Sequence, residues 1–133
     1  MGRIDWMKML GWSEDQLEDL RFTGYSYVRQ GKYDIALPFF EALCVLNRDS
    51  AYDFQILGAL YLQLSQFEKA QNTLEKALKM DPGHAPTLLN LSKVFLMLGK
   101  RDAGLHLAKL LESSEDQTVA NFAKALSLAY GEE

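Results

Sequence analysis

The residues able to do chemistry are few and poorly spaced for it. His84 and His106 are the two histidines and Cys44 is the one cysteine. Neither histidine has a Cys, His or acid at a metal-site spacing such as His-x-x-x-His, so no metal is expected. His84 belongs to the solvated loop Pro82-Gly83-His84-Ala85-Pro86. A single thiol excludes an intramolecular disulfide. Its place in the apolar run Ala42-Leu43-Cys44-Val45-Leu46 suits a packed position in a reducing compartment. Glu14, Asp15, Glu18 and Asp19 crowd together, and paired carboxylates can serve general acid–base chemistry. They also follow Ser13, which forms a capping-box pattern with Gln16, where the helix dipole favours negative charge; that placement explains them without catalysis. Glycine-rich phosphate loops and Gly-x-Ser-x-Gly are missing. The expectation is a protein without cofactor or enzymatic activity, whose work is done by apolar and aromatic side chains.

The elements that carry those side chains follow from length and pattern. The chain has 133 residues, 48% apolar and 24% charged, with a net charge of −4. That length suits one domain able to bury its own core, and the composition argues against disorder. The negative charge disfavours nucleic acid, whose phosphates require clustered Lys and Arg. No apolar stretch reaches the ~20 residues that span a bilayer. The opening residues Met1-Gly2-Arg3-Ile4-Asp5-Trp6 lack the apolar core of a secretory signal. The expected compartment is the cytoplasm, with no membrane insertion.

A 34-residue period organises the chain. Gly24, Tyr27, Tyr33, Ala36 and Phe40 become Gly58, Tyr61, Phe67, Ala70 and Leu74, then Ser92, Phe95, Arg101, Gly104 and Ala108. The first step keeps every residue type, while the second weakens in its latter half. Each repeat reads as two helices. Phe54, Leu57, Gly58, Tyr61 and Leu62 form one apolar stripe, and Phe67, Ala70, Leu74, Ala77 and Leu78 form another. The small residues Gly58, Ala70 and Ala77 let the two axes approach, and Tyr27, Tyr61 and Phe95 read as core. Asp81-Pro82-Gly83 ends the repeat, since Pro cannot continue a helix. Asp49-Ser50 can cap the following helix, and Gly31 and Gly99 sit in turns within repeats. Helices are predicted near 14–30, 33–47, 51–64, 67–80, 85–98, 101–112 and 116–130. The predicted division of the single domain, 1–133, is an N-terminal extension (1–16), repeats at 17–50, 51–84 and 85–118, and a cap helix (119–133). Phe122, Leu126 and Ala129 are expected to face inward from the cap.

Residues 51–84 resemble the tetratricopeptide repeat at Phe54, Leu57-Gly58, Tyr61, Phe67, Ala70, Leu74, Ala77 and Asp81-Pro82. Repeat 17–50 agrees at Gly24, Tyr27, Gly31, Tyr33, Ala36 and Phe40 but has Arg48 where Pro is usual. Repeat 85–118 agrees at Leu88, Leu91, Phe95 and Gly99 and departs at Arg101 and Gly104, which implies looser packing of its second helix. The resemblance implies an all-α, right-handed superhelical solenoid of about three repeats. A narrower resemblance lies in Gly31-Lys32-Tyr33, the run Phe40 to Leu46, Tyr52-Asp53-Phe54 and Leu57-Gly58-Ala59. It is similar to the class II chaperones of bacterial type III secretion, the LcrH/SycD type, which hold translocator proteins in the cytoplasm before export.

In such an array the first helices of the repeats line the concave face. The implied groove rows are Glu18, Arg21, Tyr25, Val28 and Arg29; Tyr52, Gln55, Ala59, Leu62 and Gln63; and Pro86, Leu89, Lys93, Leu96 and Met97. An apolar surface of this kind marks a partner site. For Tyr25, Tyr52, Leu62, Leu89 and Met97 a core position is the competing reading. The residues that clamp a heat-shock protein's C-terminal carboxylate in related co-chaperones correspond to Arg21, Tyr25, Ile56, Pro86 and Asn90 here. Arg21 alone supplies charge, so that partner is not expected.

The N-terminal residues Ile4, Trp6, Met7, Met9, Leu10 and Trp12 are strongly apolar. They read either as a helix packed over the first repeat, since solenoid ends need capping, or as a homodimer contact or lid. The functional expectation is a cytoplasmic export chaperone binding an extended segment of a secreted translocator or needle-type substrate, or a co-chaperone. The alternative is a scaffold joining folded proteins.

Overall fold

The computed structural model describes residues 5–131. They form α1 (Trp6–Leu10), α2 (Glu14–Arg29), α3 (Tyr33–Leu46), α4 (Ala51–Gln63), α5 (Phe67–Met80), α6 (Ala85–Met97), α7 (Arg101–Leu111) and α8 (Gln117–Gly131), with no strand among them. The ends lie where local chemistry puts them. The Ser13 backbone N–H donates to Gln16 Oε1 at 2.8 Å and the Gln16 N–H to Ser13 Oγ at 3.3 Å, a reciprocal cap. Ser50 Oγ accepts the Asp53 N–H at 3.2 Å at the head of α4. The turns inside the three helix pairs all use left-handed backbone, at Gly31 (φ 74°), Ser65 (φ 60°) and Gly99 (φ 78°).

Within each pair the helices touch at small residues. A methyl group added at Gly24 would lie 2.8 Å from Phe39 Cβ, and one at Gly58 would lie 2.7 Å from Leu74 Cγ. In the third pair Ser92 takes this place, fully buried, with its hydroxyl donating to the Gly104 carbonyl at 2.7 Å. Gly104 stands against Leu96 Cγ, 2.7 Å from where its own Cβ would be. The expected loosening of α7 is therefore corrected: the missing side chain at Gly104 lets α7 lie close against Ser92 and Leu96 of α6. Leu17, Ala36, Phe40, Leu43, Leu60, Ala70, Leu74 and Val94 form the heart of a core that runs through the first three pairs. Tyr61 is buried, and Tyr27 and Phe95 pack against the same core.

The pairs stack into a curved row. α4 lies against α6 and α6 against α8, whereas α3, α5 and α7 meet only their pair partner and the first helix of the next unit, apart from the contact of α1 with α3. α4, α6 and α8, in contact with one another in turn, make the shorter, inner arc, which α2 joins through Arg21 on Asp53 of α4. Val119, Ala120 and Ala123 are the residues α8 buries, with Leu126 packed alongside, while Phe122 and Ala129 are exposed. The expected inward face of Phe122, Leu126 and Ala129 is thus corrected at Phe122 and Ala129. The small side chains Ala120 and Ala123 are the ones that admit close approach.

Candidate binding groove

The inner arc presents a discontinuous apolar trough. Tyr25 on α2 and Tyr52 on α4 are 40% and 42% exposed, and Met97 on α6 is 53% exposed. Val28, Ala59 and Leu62 are half-buried, with Val28 and Leu62 packed against the core. Burial, and after it the neighbouring Tyr25 hydroxyl, pushes the Tyr52 phenol above its ordinary range, so the Tyr52 ring stays a neutral donor at physiological pH. Gln55 Nε2 donates to Asp81 Oδ2 at 3.4 Å at the edge of the trough. Glu18, Arg29, Gln63 and Pro86 are exposed.

Two predicted groove residues are turned inward. Leu89 is 6% exposed and packs with Leu111, Val119 and Ala123, because α8 covers that part of α6. Leu96 is 9% exposed and faces Gly104 on α7. Both are core residues of the chain as it stands, which corrects their placement among the ligand contacts.

Arg21 reaches the inner face but is already committed. Its Nε and Nη2 each donate to Asp53 at 2.7 Å, a two-pronged bond to a carboxylate with no exposure at all, and Nη1 also donates to Glu18. The Asp53 bond holds the guanidinium pKa far above its ordinary value. The backbones of α2 and α4 do not approach each other directly, so this fork is a side-chain tie between them. Asp53 is the residue of this face that reasoning from the sequence did not single out. An acid one position from Tyr52 and Phe54 in an apolar row, near one repeat length from an arginine, was the available signal.

Lys93 sits where α6 meets α8, half-buried, with Nζ 4.4 Å from the centre of the Phe122 ring. Burial lowers its pKa. At the N-terminal end, Met7 and Trp12 pack against the core, while Met9 and Leu10 are 68% and 58% exposed. Ile4 and the Trp6 side chain lie outside the described residues.

The outer side carries a cleft of about 700 Å³ between α3 and α5, floored by Phe54, Leu57 and Tyr61 of α4. Glu41, at its rim, accepts the Tyr61 hydroxyl at 2.6 Å. Among the described residues no group of three or more His, Cys, Asp or Glu could hold a metal ion, and no helix is long and apolar enough to cross a membrane.

Comparison with known proteins gives this geometry a lineage. The tetratricopeptide repeat profile matches residues 61–129. A crystal structure of PcrH in complex with the chaperone-binding region of PopD superposes with a TM-score of 0.79 at 30% identity, over 91% of this chain and 95% of that one. Low calcium response locus protein H of Yersinia pestis is 33% identical over 74% of this chain and 61% of its own length. BBSome complex member BBS4 of Bos taurus is 30% identical over 76% of this chain but only 20% of its own length. The chain therefore spans between a fifth and about three-fifths of these two curated relatives. Its helix pairs, its small-residue contacts and these likenesses agree: the chain belongs to the tetratricopeptide-repeat family and is similar to the translocator chaperones of type III secretion.

Proposed function

We propose that the protein is a cytoplasmic chaperone of type III secretion. Its inner arc holds an extended, apolar segment of a secreted translocator, or of a needle-type substrate, until export. The observation that carries this reading is the likeness to PcrH in its complex with the chaperone-binding region of PopD, over nearly the whole chain. The exposed Tyr25, Tyr52 and Met97 supply what such a segment needs. Two rings offer area with a polar tip at low entropy cost, and a thioether repacks around different side chains. Arg21 and Asp53 serve as the frame that sets α2 against α4, and no step of bond chemistry is involved. Met9 and Leu10 give α1 an apolar outer face suited to pairing two copies.

The test is co-expression with candidate secreted substrates followed by purification of the complex. Wild-type chain is expected to retain a translocator or early substrate. Tyr52→Glu combined with Met97→Glu is expected to lose it while keeping full helical circular dichroism, since both side chains are exposed. Failure of any such substrate to co-purify rejects the reading.

The likeness to BBS4, a member of a protein complex, favours one alternative, a scaffold for folded partners. Hydrogen exchange on the bound partner separates the two. A chaperone's ligand is unprotected when free and protected when bound, whereas a scaffold's partner is protected in both states.

A further inference from the structure

Lys93 is a cation of the inner arc that no carboxylate meets among the described residues. Arg21, by contrast, spends its donors on Asp53 and Glu18. Among the described residues no acid lies in ion-pair reach of the Lys93 ammonium, and its recorded contact is the ring of Phe122 at 4.4 Å. An ammonium carries three donors. A ring face engages one direction of them, so the rest of this donor set is left for water. Loss of that water under a ligand would strand the charge unless the ligand brought an acceptor. Phe122 itself is 49% exposed, so the ammonium and ring together form an open corner between α6 and α8, on the same helix as Met97 and one turn before it.

We propose that this corner reads charge: the segment bound in the groove places an Asp or Glu side chain on Lys93, and that acid sets its register. The inference rests on the groove reading above. It adds a requirement that an apolar trough alone does not impose. The chain's net charge of −4 makes a random acid on the ligand unfavourable over most of the surface. A fixed position that welcomes an acid beside Met97 therefore discriminates between registers as well as between segments. The stacked Phe122 ring holds the ammonium in place before binding, which reduces the ordering required.

The test uses the full chain against a displayed library of random peptides, with wild type, Lys93→Arg, Lys93→Glu and Tyr52→Glu as baits. Wild type and Lys93→Arg are expected to select apolar segments with Asp or Glu at one fixed distance from the apolar anchors. Lys93→Glu is expected to select the same anchors with Lys or Arg at that position. Replacing the selected acid by Asn or Gln in a synthetic peptide, with the protein untouched, is expected to weaken binding about tenfold or more, as for a charge-assisted hydrogen bond. Apolar segments without an acidic preference, or a preference unchanged in Lys93→Glu, overturn the role of Lys93 and leave the groove standing. Selection that fails with wild type, or that Tyr52→Glu leaves undiminished, removes the groove reading and this inference with it.

Discussion

Ser65 holds a left-handed backbone, φ 60°, at the turn where the neighbouring pairs have Gly31 and Gly99. A side chain in that region clashes with its own carbonyl at a cost of roughly 1–2 kcal/mol, partly offset because glycine loses more freedom on folding. Ser65→Gly is therefore expected to raise stability by up to about 1 kcal/mol, read as a higher urea midpoint with unchanged slope. A lower midpoint would show that the serine makes a compensating bond. Cys44 is governed by burial, which pushes its thiol up to about 12, with the Asp53 carboxylate adding to the effect. The native thiol is expected to resist alkylation at pH 8 and to react at once in urea. The sign follows from the shift. The folded state holds the proton more tightly than the unfolded chain, whose thiol has a pKa near ~8.5. The stabilisation is complete below about pH 8.5 and is lost as pH rises from there toward 12.

At the scale of helices, close approach and one buried fork do the positioning. Gly58→Val would drive a side chain into Leu74 and part α4 from α5, an overpacking expected to cost about 1–3 kcal/mol in denaturant unfolding. Arg21→Met would strand the wholly buried Asp53 carboxylate, and about 3–5 kcal/mol is the expected loss. Pairing it with Asp53→Leu is expected to recover most of that loss, because two apolar groups leave no charge unpaired. A double variant as unstable as the single one would mean that the fork shapes the backbone rather than merely neutralising a charge. The pattern also explains what could be read in advance. Small and large residues recurring every 34 positions fix which faces of α2 to α7 meet, so the helix bounds and the Gly24, Gly58 and Ala70 contacts were legible. The orientation of α8 was not, because two apolar stripes overlap there and share Leu126. Packing chose the stripe with alanines. Leu89 and Leu96 were misjudged for the same reason: their repeat position suggests an open face, but α8 and Gly104 close it. The Arg21–Asp53 fork spans 32 residues and follows no local spacing rule.

For the molecule as a whole, curvature separates two surfaces. The inner arc gathers Tyr25, Tyr52 and Met97, and the outer side opens the cleft over Phe54 and Leu57 between α3 and α5. The outer cleft, about 700 Å³, is the competing binding place. The inner row is favoured by its exposed rings, by the fork that spaces α2 from α4 and by the lineage of the fold. Hydroxyl-radical footprinting of the free chain and of its complex with a co-expressed secreted segment discriminates between them side chain by side chain. Oxidation at Tyr25, Tyr52 and Met97 is expected to fall on binding, while Ile35 and Leu110, exposed on the second helices, stay as reactive as in the free chain. Protection confined to Val45 and Phe54 around the outer cleft, with the inner row unchanged, would contradict recognition in the groove.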